Sequence, residues 1–133
     1  GRMERHFGSL EGRTIALWGL AFKPRTDDMR EAPAIVLIER LLAAGAKVQA
    51  FDPAAMPVAR RLFGSSITYA PRSYAALAGA DALAVVTEWN EFREPDFGKM
   101  RKLMKSPVVF DGRNIYSRDL MRANGFTYYS IGR

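Results

Sequence analysis

Six short apolar segments alternate with segments of helical character along the chain, and this order restricts the fold more than any other feature. The apolar segments cover residues 14–18, 47–51, 67–69, 82–86, 108–110 and 126–129. Those at 14–18 and 82–86 are apolar at nearly every position, as expected of strands buried on both faces of a sheet. Strands separated by helices favour parallel pairing with right-handed crossovers. We therefore predict a Rossmann-like, doubly wound α/β domain, with a mostly parallel sheet of about six strands and helices on both faces.

The connecting segments carry signals that start and stop helices. Pro33 suits the first turn of a helix, Gly45 ends that helix, and the apolar residues between them form one wide face. Ser73 and Asp96 are polar residues in positions to cap two further helices. Helices are thus predicted at 34–44, 54–63, 73–78, 96–104 and 117–123.

Composition limits the chemistry open to this chain. It has 133 residues, a formal net charge of +6 and no cysteine, and its one histidine is His6. Thiol chemistry and cysteine-based metal sites are excluded, and most nucleophile–base pairs cannot be built from one terminal histidine. No apolar run is long enough to span a membrane, and residues 1–7 lack the apolar stretch of a secretory signal. The net charge favours an anionic partner, although a solvated surface that happens to be basic would account for it as well. We also expect no catalytic or metal-ligating residue, no membrane or nucleic-acid partner, and a cytoplasmic location.

The loop after the first strand is unusually long and charged for a strand-to-helix connection. It carries Lys23, Arg25, Asp27, Asp28, Arg30 and Glu31. In α/β proteins, such loops beyond the carboxyl ends of the strands hold ligands. Lys23 is either a phosphate-binding cation or a solvated side chain. The two aspartates either pair with neighbouring arginines and order the loop or, less simply, contribute to a metal site that no other residue nearby completes.

This loop lacks the three-glycine turn of a dinucleotide-binding site, because only Gly19 is present. Asp52 ends the second strand, where an acid often binds a ribose, but without the glycines it more simply caps the next helix. Arg113 follows the fifth strand on the same edge and can bind phosphate or sugar oxygens, or pair with Asp111. Trp89 and Phe92 cover the end of the sheet, although Trp89 could also stack on a base.

Four landmarks resemble the C-terminal domain of the UDP-glucose/GDP-mannose 6-dehydrogenase family. They are Gly19-Leu-Ala-Phe-Lys-Pro-Arg-Thr-Asp-Asp-Met-Arg-Glu-Ala-Pro33, Phe51-Asp-Pro53, Thr87-Glu-Trp89 and Phe110-Asp-Gly-Arg113. The resemblance extends from residue 15 to residue 133 and is greatest for the UDP-glucose branch. It implies that residues 1–8 are the end of a central connecting helix and that residues 9–133 are a UDP-sugar-binding domain.

The resemblance also implies site residues and partners. It assigns Phe22, Lys23 and Arg113 to UDP-glucose or a related nucleotide-sugar, and Arg30 to NAD. NAD would be held mainly by an N-terminal domain of the same polypeptide, which would also carry the catalytic cysteine. The parent enzyme would oxidise UDP-glucose to UDP-glucuronate with two hydride transfers to NAD, as a homodimer or larger assembly. The present chain would be inactive by itself.

Two other readings are compatible with parts of the pattern. A stand-alone nucleotide-binding or regulatory module would share the fold and the basic edge, although a chain that opens within a helix suggests a domain of something larger. A nucleic-acid-binding domain would suit the charge. Against it, the basic residues are spread along the chain and form no recognised nucleic-acid motif.

Overall fold

The computed structural model describes residues 2–130. Residue 1, in the predicted connecting helix, and residues 131–133, at the end of the predicted UDP-sugar-binding domain, lie outside the described part. Its centre is a parallel sheet of six strands in the order β3-β2-β1-β4-β5-β6. The strands are β1 (Thr14–Trp18), β2 (Lys47–Phe51), β3 (Thr68–Tyr69), β4 (Ala82–Val85), β5 (Val108–Asp111) and β6 (Thr127–Ser130). The predicted doubly wound sheet is confirmed.

Within residues 2–130, five α-helices cover the sheet: α1 (Arg2–Phe7), α2 (Pro33–Ala43), α3 (Met56–Phe63), α4 (Phe97–Leu103) and α5 (Arg118–Ala123). Helices α1 to α3 pack on one face of the sheet, and α4 and α5 pack on the other. The chain therefore winds in both directions from β1, and the point at which the strand order reverses direction, the topological switch point, lies between β1 and β4. In folds of this kind, the crevice at the carboxyl ends of the strands beside the switch is where ligands bind.

Helix α2 shows how local sequence and packing agree. Pro33 occupies its first turn, and Ala34, Ile38 and Leu41 are buried against the sheet. Full burial of a side chain as large as Ile38 stabilises the fold by about 1.5–3 kcal/mol. Gly45 follows with a φ of 86°, a left-handed conformation that ends the helix as predicted.

Helix α1 stops at Gly8, whose φ is 79°. That it is the end of a central connecting helix stays a prediction. Met3 is buried in the core, and the exposed His6 places its Nδ1 atom 2.7 Å from the hydroxyl of Tyr129. These contacts tie α1 to strand β6. Among residues 2–130, no helix is both long enough and apolar enough to cross a membrane.

Two predicted helices differ from the observed structure. Ser73 caps no α-helix: residues Tyr74–Leu77 form a short 3₁₀ helix and the Ser73 side chain makes no capping bond. Its carbonyl oxygen instead accepts a 2.9 Å hydrogen bond from the buried indole of Trp18, a partner that such an indole requires. Helix α3 begins at Met56, two residues later than predicted, and the N–H groups of Ala54 and Ala55 in the preceding turn donate to Asp52. The predicted caps of α4 and α5, by Asp96 and Ser117, are present.

Candidate functional site

Four loops meet at the carboxyl-terminal edge of the sheet, following β1, β2, β4 and β5. The parallel pairing of β2 with β1, of β1 with β4 and of β4 with β5 brings their ends side by side. Neighbouring strands lie about 4.8 Å apart, so the ends of β1 and β5, which flank β4, are about 10 Å apart. All sequence-predicted site residues belong to the loops after β1 and β5.

The turn that leaves β1 is packed against the loop after β4. Gly19 has a φ of 100°, and a Cβ atom built there would lie 2.4 Å from the Cβ and Oγ1 atoms of Thr87. The Thr87 hydroxyl donates a 2.6 Å hydrogen bond to the carbonyl oxygen of Ala21. The space beside this glycine is therefore filled by a threonine of the same chain and is not open to a phosphate.

Asp52 is the buried centre of this edge. One carboxylate oxygen accepts hydrogen bonds from the N–H groups of Ala54 and Ala55. The other accepts from the N–H groups of Leu20 and Ala21 and, at 3.3 Å, from the indole of Trp89. The sequence-based view of Asp52 as the cap of the next helix is wrong, because α3 has no side-chain cap and Asp52 binds the N–H groups of the turn that precedes it. The carboxylate joins the loops after β1, β2 and β4, and its hydrogen-bonding capacity is used within the chain.

Phe22 and Lys23 follow this anchored turn and point outward. Phe22 is 38% exposed, and the Lys23 Nζ atom lies 5.3 Å from the centre of its ring. In the part of the chain from residue 2 to residue 130, Lys23 forms no ion pair. Its charge is therefore available to an anionic ligand, with a cation–π contact that restrains the side chain.

Farther along the same loop, Arg30 pairs with Asp28, as the loop-ordering interpretation predicted. The Nη2 atom of Arg30 lies 2.8 Å from Oδ2 of Asp28, with its Nε atom 3.0 Å from Oδ1. Hydrogen bonds from the side chain and backbone of Arg30 lower the pKa of Asp28 to about 2. Phe22, Asp28, Arg30 and Glu31 line a surface cavity of about 550 Å³. Two of the predicted site residues, Phe22 and Arg30, thus share one cavity.

Asp111, the last residue of β5, shapes the second loop. Its Oδ1 atom accepts a hydrogen bond from the N–H group of Arg113, and its Oδ2 atom accepts from the N–H groups of Ile115 and Tyr116. The hydroxyl of Tyr128, on strand β6, donates to the same Oδ2 atom at 2.7 Å. Asp111 therefore fixes the path of this loop through its backbone and leaves the Arg113 side chain to another partner.

That partner is Glu88, in the loop after β4. The Nη2 atom of Arg113 lies 2.7 Å from Oε2 of Glu88 and its Nε atom lies 3.3 Å from the same oxygen. Partial burial by itself would raise the pKa of Glu88, but the hydrogen bonds that it accepts, from Arg113 and the backbone, outweigh this and the pKa is lowered. The sequence-based alternative of a side-chain pair between Arg113 and Asp111 is wrong, because Asp111 is occupied by backbone N–H groups.

Arg113 lines a second cavity of about 550 Å³, between α1, α2 and the ends of β4 and β5. Lys23 lines neither this cavity nor the one that contains Phe22 and Arg30. The convergence of Lys23 and Arg113 on one ligand therefore stays a prediction. In residues 2–130 there is no cluster of acidic or histidine side chains that could hold a metal ion.

Three side chains that build this edge were not identified as functional from the sequence: Thr87, Glu88 and Asp111. With Asp52, they share one signal, since each follows or ends a buried apolar strand at the ligand-binding edge. Buried polar groups at such positions are nearly always hydrogen-bonded. The sequence shows that they must have partners, but the partners lie in other loops and cannot be read from local spacing. The prediction that Trp89 and Phe92 cover the sheet agrees with a buried Phe92 and a half-buried Trp89.

Comparisons with known proteins agree with this geometry. Residues 16–118 match the family described as UDP-glucose/GDP-mannose dehydrogenase family, UDP binding domain. The chain is 52% identical over 131 residues to the UDP-glucose 6-dehydrogenase of Pseudomonas aeruginosa, covering 95% of this chain and 29% of that protein. It is 48% identical over 126 residues to the enzyme of the same name from Rhizobium meliloti, again covering 95% and 29%.

A solved structure gives the same result. The UDP-glucose dehydrogenase of the hyperthermophilic archaeon Pyrobaculum islandicum superimposes with a TM-score of 0.81 at 33% identity, over 96% of this chain and 27% of that one. The chain therefore spans less than a third of the length of these relatives. The resemblance of its four landmarks is confirmed, and the chain belongs to the UDP-glucose/GDP-mannose dehydrogenase family, of which it forms the UDP binding domain.

Proposed function

We propose that this chain is the nucleotide-sugar-binding domain of an NAD-dependent UDP-glucose 6-dehydrogenase, which oxidises UDP-glucose to UDP-glucuronate with two hydride transfers. The observation that carries the proposal is the 52% identity to a protein of that name, together with the family match across the loops of the ligand-binding edge. An N-terminal domain of the same polypeptide would complete the cleft, in a homodimer or larger assembly. A cytoplasmic location remains part of this proposal.

Within that enzyme, Phe22 and Lys23 would hold the nucleotide-sugar from one side and Arg113 from the other. The support is that Phe22 and Lys23 are exposed on a turn whose backbone is fixed by Asp52, while Arg113 leaves a loop whose backbone is fixed by Asp111. A backbone that is already held in place lowers the ordering cost of binding. Energy from binding the UDP portion can then position the sugar for reaction elsewhere in the enzyme.

The residues of this chain fit NAD only at its periphery. The N–H groups of Leu20 and Ala21, which a dinucleotide-binding turn would direct at a pyrophosphate, donate to Asp52 instead. Arg30, with a side chain 89% exposed, could bind a cofactor phosphate that approaches from a facing domain, once Asp28 shares or releases it. When bound, NAD would supply the hydride acceptor, and domain closure would exclude water from the reacting sugar.

We expect the 133-residue chain alone to show no oxidation of UDP-glucose. It has no cysteine for thiol-based aldehyde oxidation, and the turn after β1 is closed to a dinucleotide by Thr87 and Asp52. The purified chain, mixed with NAD and UDP-glucose, should therefore give no NADH absorbance above a blank without protein. A turnover signal that rises with protein concentration would contradict this expectation.

Binding can be tested on the chain itself by calorimetric titration with UDP, GDP and UDP-glucose. Replacing Lys23 with alanine should weaken the binding of UDP about tenfold, equivalent to about 1.4 kcal/mol, because an unpaired cation is lost. Lys47 provides the matched control: it is also an exposed lysine, but it begins β2 at the opposite edge of the sheet. Lys47→Ala should leave the affinity within about twofold. Equal losses in both variants would indicate general charge attraction and contradict a site at this edge.

A further inference from the structure

The ion pair between Arg113 and Glu88 is partly accessible from solvent and uses only one of the two carboxylate oxygens. The two side chains are 36% and 23% exposed, and both guanidinium hydrogen bonds go to a single carboxylate oxygen, Oε2. The other oxygen, Oε1, is buried and finds no hydrogen-bond donor among residues 2–130. A buried carboxylate oxygen without a donor is costly, so a ligand that supplies one would gain from it.

Glu88 also changes what Arg113 can attract. Coulomb energy falls only as the inverse of distance, so a phosphate in contact with the guanidinium is also repelled by the carboxylate just behind it. Much of the attraction is thereby cancelled. Lys23 has no such neighbour within ion-pair distance in the described part of the chain. Lys23 interacts with the Asp28 carboxylate only beyond ion-pair distance, and Asp28 is itself paired with Arg30. At this edge of the sheet, Lys23 is therefore the better partner for a diphosphate.

A hydroxyl group suits the pair better than a phosphate does. A hydroxyl both accepts and donates a hydrogen bond, and Arg113 retains guanidinium hydrogens that Glu88 does not use. The last torsion of a glutamate side chain is soft, so a small rotation of the Glu88 carboxylate could present Oε1 to a ligand. Neighbouring hydroxyls of a hexose can then accept from Arg113 and donate to Glu88. An ionised phosphate has no proton to donate.

We propose that Glu88 is a specificity-determining residue, which cancels the charge of Arg113 so that the pair selects the uncharged, hydroxyl-bearing sugar of a nucleotide-sugar over a terminal phosphate. This inference rests on the proposed function. It assigns the sugar to Arg113 together with Glu88 and leaves the diphosphate to Lys23.

The test compares UDP with UDP-glucose, because the free terminal phosphate of UDP carries more negative charge than the same group linked to glucose. In Glu88→Gln, the ratio of the two dissociation constants should shift toward UDP by about fivefold or more. Glu91 supplies the control, since it is an exposed glutamate of the same loop with no ion pair in the described residues. Glu91→Gln should leave the ratio within about twofold.

Two further measurements make the result unambiguous. In the ligand-free chain, NMR should show slow solvent exchange of the Arg113 Nε–H in the wild type and faster exchange in Glu88→Gln. In an Arg113→Ala background, Glu88→Gln should change the ligand ratio clearly less than it does with Arg113 present, since without the guanidinium neither ligand is held close to position 88. Unaltered Nε–H exchange, or wild-type binding with an unchanged ratio, overturns this inference alone. A wild-type chain that binds neither ligand overturns the proposed function and the inference with it.

Discussion

Replacing Asp52 with alanine should lower the free energy of unfolding by about 4 kcal/mol, close to the largest effects seen for single substitutions. The carboxylate is fully buried and accepts hydrogen bonds from four backbone N–H groups and from the indole of Trp89. Each buried donor left without a partner costs about 1–3 kcal/mol, and removing the carboxylate returns only its desolvation cost. The loops after β1, β2 and β4 would lose their common anchor together.

The measurement is chemical denaturation of the two proteins under the same conditions, and Asp96 offers the control. Asp96 is another aspartate whose carboxylate accepts from the backbone, but it is exposed, and among residues 2–130 its carboxylate accepts one hydrogen bond, from the N–H group of Lys99 at the start of α4. Asp96→Ala should cost about 1 kcal/mol, the usual value of a helix cap. Asp52→Asn should resemble Asp52→Ala more than the wild type, because its NH₂ group would face other donors. Similar costs for Asp52→Ala and Asp96→Ala would contradict the central role of Asp52.

Replacing Gly19 with alanine should cost about 3 kcal/mol or more, from two sources that add. The residue has a φ of 100°, which is strained for any side chain, and the new Cβ atom would lie 2.4–2.5 Å from three atoms of Thr87. One of those atoms is the backbone nitrogen of Thr87, at 2.5 Å, so a different rotamer of the threonine cannot relieve the contact. The turn after β1 or the loop after β4 must move.

A substitution at Gly12 separates the backbone strain from the steric contact. Its φ is 76°, and a Cβ atom there would have nothing within 4 Å, so Gly12→Ala measures backbone strain alone. We expect a loss of about 1 kcal/mol for Gly12→Ala in thermal or chemical unfolding. If Gly19→Ala cost no more than Gly12→Ala, the contact with Thr87 would not be the reason that glycine is needed at this turn.

Much of the fold could be predicted because the signals that define it are local. The bounds of β1 and β2 agree residue for residue with the apolar segments. Helix α2 lies between Pro33 and Gly45, the two residues that were predicted to start and end it. The misassigned segment near Ser73 has a different cause. There the carbonyl of Ser73 is bound to Trp18, 55 residues away in sequence, and tertiary contact outweighed capping propensity.

The site could be predicted only as far as the position of its loops. The pattern of strands placed Lys23 and Arg113 at one edge, and the family resemblance supplied their roles. The hydrogen bonds that Leu20 donates to Asp52 and Arg113 donates to Glu88 join residues 32 and 25 positions apart, across different loops. Neither spacing nor periodicity encodes such pairs, and they depend on which strands become neighbours in the sheet.

The buried carboxylates of Asp52 and Asp111 hold backbone atoms, while the side chains offered to solvent by the same loops are different residues. The shape of this surface and its chemistry are consequently determined by different residues of the sequence. Exchanging Phe22, Lys23 or Arg113 should retune which small molecules are accepted while leaving the scaffold intact, so the domain is a suitable starting point for redesign toward other activated sugars.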